Sequence, residues 1–367
     1  MTGAMYAAIS GMKSHMSKLN VIGNNIANVN TYGFKAGRTT FDSSLYTMMR
    51  GGSNGTSSTG GRNPAQVGYG VSIGTIDLDM STGNYAPTGY GTDCMIDGDG
   101  FFLVGTKDIN INADDPQSLK SLTLSRVGDF GFSADNYLVD GNGNVVYGFL
   151  TTDIIDQATG HHQVCDQLVP IHLPRMLAED DGTNPAGTPL YPQMGGTPGG
   201  VSGVLMDDVG PTPTNPNPYL TLDSISIDEK TGKISGISKE TNEIVVIGYI
   251  AIGNVANPNG VTQQSGTYYK AGDGSGALTV SMLGGVGQDL GIEYINESVT
   301  GSSTNPAGMK IASAGVTQLI TGGLEMSKTD LATEIAEMIT TQRGYQANTR
   351  IITVTDSMLE ELVNIKR

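Results

Sequence analysis

Two cysteines, four histidines and a few Asp-Gly runs are the residues whose chemistry could make this chain an enzyme or a metalloprotein. Cys94 and Cys165 lie far apart without CxxC spacing, so they form neither a redox dithiol nor a disulfide framework. His161 and His162 are adjacent, but no acid or thiol stands beside them at metal-ligand spacing, and the pair reads as a surface turn. Asp97-Gly-Asp-Gly100 has the opening of a calcium loop. Its twelfth position, however, is Asp108 rather than Glu, and Phe101 to Val104 are apolar, so it reads as a hairpin turn. Asp140-Gly-Asn-Gly-Asn144 is read the same way. No HExxH or P-loop spacing occurs. No catalytic residue, metal site or cofactor is therefore expected.

Composition points the same way. Lys and Arg number 20 against 36 Asp and Glu, a net charge of −16 in 367 residues, and that field opposes nucleic acid and anionic membrane as partners. Only 15% of residues are charged, while Gly numbers 52 and Trp is absent, which suits a turn-rich β protein. No apolar run reaches the roughly 18 residues of a membrane span. The start, MTGAMYAAISGMKSHMSKL, lacks a basic segment followed by an unbroken apolar one, so no cleavable secretion signal is expected.

The elements that would position any function are unlike at the ends and in the middle. Met5, Ile9, Met12, Met16, Leu19, Gly23 and Ile26 step alternately by four and three, which is a heptad seam. Leu331, Ile335, Met338, Gln342, Tyr345, Thr349, Ile352, Asp356, Leu359 and Val363 repeat the pattern near the other end, with Ser327 placed to cap the helix. Between them, Val71–Met80 and Leu220–Asp228 alternate with a period of two. The expected fold is mainly β with α-helical ends that pair as a coiled-coil-like element, two β domains being looped out between them. Residues 1–50 carry a net +4 and 324–367 a net −2, signs that favour docking of the two ends. Gly23, Gln342, Thr349 and Asp356 interrupt the seams, and Ile22, Ile339, Ile351 and Leu362 lie off them. Such helices have more than one neighbour, and are read as assembly elements. Gly51–Gly61 is a low-complexity loop, and 182–218 is Pro- and Gly-rich.

Val21-Ile-Gly-Asn-Asn-Ile-Ala-Asn-Val-Asn-Thr-Tyr-Gly-Phe-Lys35 resembles the N-terminal signature of bacterial flagellar rod and hook proteins. Gly323–Leu331 and Met338-Ile-Thr-Thr-Gln-Arg-Gly-Tyr-Gln-Ala-Asn348 resemble the matching C-terminal signature. Ile96–Val104, Ser125–Phe132 and Ile247–Pro258 are similar to the family's first β domain. The resemblance implies a subunit of a hollow tube outside the cell, in the flagellum. The length fits the hook branch, a curved flexible universal joint passing torque from rod to filament; the alternative is a distal rod protein of the basal body.

On that resemblance, residues 1–33 with 324–367 are the paired helices of an inner tube, and 34–75 with 310–323 a connecting segment. Residues 76–150 with 222–309 form an inner β domain, and 151–221 an outer one. The implied partners are further copies of the chain, a hook cap, the distal rod, hook–filament junction proteins and the type III export apparatus. Nucleic acid and membrane insertion are not among them. Assembly residues would be Met5, Ile9, Met12, Met16, Leu19, Asn24, Asn25, Ile26, Asn28, Leu331, Ile335, Met338, Gln342, Tyr345, Asn348, Ile352 and Leu359, with Asn24, Asn25, Asn28 and Asn30 facing neighbouring subunits. In spirochaete hook proteins a Cys is joined to a Lys of the next subunit. By that resemblance Cys94 and Cys165 are candidate cross-link residues, although the motif around neither matches.

Overall fold

The computed structural model describes residues 2–55, 60–107, 119–155, 162–164, 168–176, 188–190, 193–195, 204–206, 219–283 and 317–365. The chain divides into two units, Met1–Asp79 with Ser327–Arg367, and Met80–Met326. It therefore crosses from one unit to the other twice.

The first unit holds two long helices and four strands. Helix α1 (Thr2–Ala27) is rich in Ala, Met and Ile, and it ends where Asn28, Asn30 and Gly33 (φ 67°) follow. Strands β1 (Gly37–Ser43) and β4 (Val71–Leu78) pair antiparallel, from Gly37 opposite Leu78 to Ser43 opposite Val71. Strands β2 (Tyr46–Arg50) and β3 (Ala65–Gly68) form a separate two-stranded hairpin. Helix α2 (Leu331–Ile365) is 35 residues long. Its cap is not Ser327 but Asp330, whose Oδ1 accepts the Ala332 N–H and whose Oδ2 accepts the Thr333 hydroxyl. Both bonds favour the carboxylate, so they hold the Asp330 pKa below its usual value. Ser327 instead accepts the Thr329 N–H and closes the turn before the helix.

The second unit is β throughout. It begins with β5 (Tyr85–Pro87), β6 (Cys94–Asp97), β7 (Phe101–Gly105), β8 (Thr123–Ser125), β9 (Phe130–Phe132), β10 (Leu138–Asp140) and β11 (Val145–Ile155). Short strands follow: β12 (His162–Val164), β13 (Val169–Pro170), β14 (Arg175–Met176), β15 (Pro189–Leu190), β16 (Gln193–Gly195) and β17 (Val204–Met206). The chain returns through β18 (Leu222–Ile227), β19 (Lys233–Ser238), β20 (Ile244–Val255), β21 (Thr262–Gln263), β22 (Tyr268–Lys270) and β23 (Leu278–Met282). It leaves through β24 (Gln318–Thr321) and β25 (Gly323–Glu325).

Among the described residues, thirteen strands make one antiparallel sheet whose main path is β18-β19-β20-β11-β7-β8-β22-β21. Its core gathers Ile96, Phe102, Val104, Phe130, Val146, Ile234, Ile250 and Ile252, with the Phe102 and Phe130 rings edge to face at 5.0 Å. The expected division at 150/151 falls within β11, and β18 to β20 return to the same sheet. Beyond β11, β14 pairs with β15 and β16 with β17, as separate two-stranded sheets. The Pro-rich run 207–218 and most of 177–203 lie outside the described residues.

Three turn readings can now be placed. Asp97-Gly-Asp-Gly100 is a turn, with Gly98 and Gly100 at φ 122° and 125°, but it does not close a hairpin. Strand β6 pairs with β24, and β7 pairs with β8, β11 and β20, so the turn carries the chain from one sheet to another. Gly100 also lacks room for a side chain, since a Cβ would lie 2.5 Å from Ile252 Cγ2. Asp140–Asn144 does close a hairpin between β10 and β11. There the Asp140 Oδ1 accepts the N–H groups of Asn142 and Asn144, and Tyr268 donates its hydroxyl to Oδ2. Burial, and then bonding to that carboxylate, push the Tyr268 pKa up to about 12. His161 lies outside the described residues, while His162 opens β12.

Candidate assembly interface

The two terminal helices lie antiparallel. Gly11 faces Asn348 and Gly344 faces His15, each so closely that a Cβ would sit 2.8 Å from the opposing side chain. Lys18 Nζ lies 2.8 Å from Glu337 Oε2, and Asn25 Nδ2 donates to Glu334 Oε1 at 2.9 Å. Thr349 reaches the Met12 sulfur at 3.9 Å. The line of contact on α1 therefore runs Gly11, His15, Lys18, Asn25, with buried Ala8 and Ile22 at the same spacing. It is offset by one residue from the expected Met5–Ile26 line. Small and polar residues make the seam because they let the backbones approach, while the longer apolar side chains flank it.

Strands β1 and β4 cover another face of α1. Ser14 Oγ donates to the Val71 carbonyl, and Ser10 Oγ accepts the Val71 N–H. The Phe41 ring meets His15 edge-on at 5.6 Å, and Lys18 Nζ lies 5.8 Å from its centroid. His15 keeps a buried Nδ1, and burial followed by the nearby Lys18 charge depresses its pKa.

Of the expected assembly residues on α1, Met5, Ile9, Met12, Leu19 and Ile26 are half-buried, and Met16 is exposed. Asn25 is buried inside the unit. Its amide donates to the Gly37 carbonyl and to Glu334, and its Oδ1 accepts the Gly37 N–H, so it ties α1 to β1 and α2 together. At Glu334 burial outweighs the single bond from Asn25, and the pKa is raised. Asn28 bonds the side chain and carbonyl of Asn24 at the helix end, while Asn24 itself and Asn30 are exposed.

On α2, Met338, Tyr345, Asn348 and Ile352 are half-buried, whereas Leu331, Ile335, Gln342 and Leu359 are exposed. Buried Thr341 and Thr355 complete the observed line. Every residue from Asp356 to Ile365 is exposed, including Met358, Leu359, Leu362, Val363 and Ile365. The register explains this. Asn25–Glu334 and Gly11–Asn348 fix a one-to-one pairing, so Thr2 at the start of α1 falls opposite Ser357. About eight residues of α2, or roughly 12 Å, continue past the end of α1.

A second exposed apolar surface was not foreseen. Leu45, Tyr46, Met48, Met49, Val67 and Tyr69 stand exposed on and beside the β2–β3 hairpin, which is too small to be stable alone. The signal was present in Leu45-Tyr-Thr-Met-Met49, a run of large apolar residues just before the low-complexity Gly- and Ser-rich run. Cys94 is free and wholly buried in β6, and burial, followed by Asp93 and Asp129, pushes its thiol pKa well up. Cys165 lies outside the described residues.

Among the described residues, both long helices leave apolar side chains exposed. Residues 5–35 match the family described as flagella basal body rod protein, and 320–365 match the C-terminal family of the flagellar basal body rod proteins FlgE, FlgF and FlgG. The chain is 32% identical to the flagellar basal-body rod protein FlgG of Bacillus subtilis, with all of both chains covered. It is 27% identical to the flagellar hook protein FlgE of Borreliella burgdorferi, again over all of both, and 26% identical to that of Salmonella typhimurium, over 98% of this chain and 99% of the relative. The chain belongs to the family of bacterial flagellar rod and hook proteins, the structural proteins of the flagellar axis.

Proposed function

We propose that the chain is the subunit of the flagellar hook, polymerising with its own copies into a curved hollow tube that passes torque from rod to filament. The observation that carries this reading is the additional β segment between β11 and β18, where β14–β15 and β16–β17 form small sheets apart from the main one. It supplies material for an outer layer of the kind that hook subunits of the family carry. The exposed apolar residues of α1, α2 and the β2–β3 hairpin supply the contacts between copies. The polymer stands outside the cell, reached through the type III export apparatus. It grows under a hook cap from the distal rod and ends at the hook–filament junction proteins.

A distal rod subunit is the second reading, favoured by the 32% identity to a relative named FlgG along its whole length. Electron microscopy of the full chain under polymerising conditions separates the two. Curved tubes are expected, whereas straight rods of fixed length would replace the hook reading with the rod. No polymer at any concentration would mean that assembly needs the cap or another partner, and would leave both readings on the family relationship alone.

A further inference from the structure

The chain enters the β unit after Asp79 and leaves it after Met326. Both crossings emerge from the same end of one antiparallel strand pair. In β5 and β25, Gly323 faces Pro87, Leu324 faces Ala86 and Glu325 faces Tyr85, so the mouth of the pair lies at Gly83, Asn84 and Met326. A bend or twist between two such units loads the crossings unequally, and the difference acts to peel one strand from the other. Bonds in an antiparallel pair opened from one end break singly rather than together. This is the pair's weak direction.

The mouth is built against that opening. Met326 N–H donates to the Asn84 carbonyl at 2.8 Å, and Gly83 N–H donates to Glu325 Oε1 at 2.6 Å. The backbones approach too closely for side chains at two glycines. A Cβ on Gly83 would lie 2.4 Å from the Met326 carbonyl oxygen, and one on Gly323 would lie 2.4 Å from that of Ala86. Glu325 and Arg126 are each about 1% exposed, and their charged groups are 3.7 Å apart. Arg126 in turn donates to the Gly98 carbonyl at 2.9 Å and the Ile96 carbonyl at 3.4 Å, and it lies 5.3 Å from the centre of the Phe101 ring. One guanidinium thus connects the departing strand, the arriving segment through Glu325, and strands β6 and β7 of the core.

We propose that Arg126 and Glu325 are a mechanical clamp, which keeps β5 and β25 seated on the core when the chain crossings are loaded. The load-bearing role rests on the axial reading above; the clamp itself does not. A buried ion pair is a poor general stabiliser, because desolvation offsets its attraction. Its position at the mouth gives it a local task instead.

Hydrogen exchange on the unpolymerised full chain tests the clamp independently of hook, rod or any polymer. In the parent, amides of residues 83–86 and 322–326 are expected to be protected as well as those of β7 and β20. In E325Q, which keeps an acceptor for Gly83 but removes the charge, they exchange about tenfold faster or more while β7 and β20 are unchanged. Equal acceleration throughout the unit would make the pair a general stabiliser and overturn the proposal, as would no acceleration at all. Should E325Q fail to fold, R126M/E325M strands no charge. Selective loss at the mouth is expected there too, and parental protection in that variant refutes the clamp.

Discussion

His15 lies where α1, α2 and β1 meet, between the Phe41 ring and the backbone of Gly344. Lys18 stands one turn away, tied to Glu337, and Glu334 lies further along on Asn25. Because burial and Lys18 depress the imidazole pKa, the folded unit binds fewer protons than the unfolded chain just below the ordinary value of 6.5. Stability is therefore complete above pH 6.5 and falls as pH drops through that value toward the depressed one. Chemical denaturation at pH 7.5 and 5.5 should show this loss in the parent, and H15Q should flatten it. An unchanged difference would assign the acid sensitivity to other groups. Asn25 is the other residue on which this unit depends. Asn25→Ala removes three hydrogen bonds and leaves the Gly37 backbone unsatisfied, so a cost of roughly 2–3 kcal/mol is expected in the same assay. The sequence marked Asn25 as unusual for a helix. It could not say that the amide faces inward, because its partners Gly37 and Glu334 come from a strand and from the far end of the chain.

At the scale of elements, both helices and their pairing were legible in the sequence, and the contact line was not. Periodicity gives weight to large apolar side chains, so it selected Met5, Ile9, Met12 and Met16. The helices instead meet through Ala8, Gly11, His15, Lys18 and Asn25, residues that a hydrophobic pattern passes over. The Asp97 turn failed for a related reason. Two strands joined by Gly-rich residues read as a hairpin, yet pairing with β24 is decided more than 200 residues away. On the proposed reading, the apolar positions left outside the helix contact face neighbouring copies in the polymer. In L359K/L362K, both side chains already face solvent in the monomer, so thermal stability should change by no more than about 0.5 kcal/mol. Sedimentation should nevertheless show polymer formation abolished. Normal polymerisation of this variant would exclude the α2 overhang from the subunit contacts.

Over the whole molecule, charge is divided unevenly. The unit containing the helices carries 11 basic and nine acidic side chains, net +2, and the β unit carries nine and 27, net −18. A polymer of this chain brings copies of the −18 unit together, so its association is opposed chiefly by the β units. That repulsion reaches about 10 Å at 0.1 M salt and about 3 Å at 1 M. The critical concentration for polymerisation should accordingly fall several-fold between 0.05 and 0.5 M salt. Salting-out of the apolar helix faces would act in the same direction, and a charge variant separates the two causes. Asp223 and Glu243 are exposed, so D223K/E243K takes the β unit from −18 to −14 without disturbing its core. If repulsion sets the threshold, turbidity measurements should find the variant polymerising at markedly lower salt than the parent. Superimposable salt curves would mean that the apolar contacts alone set it.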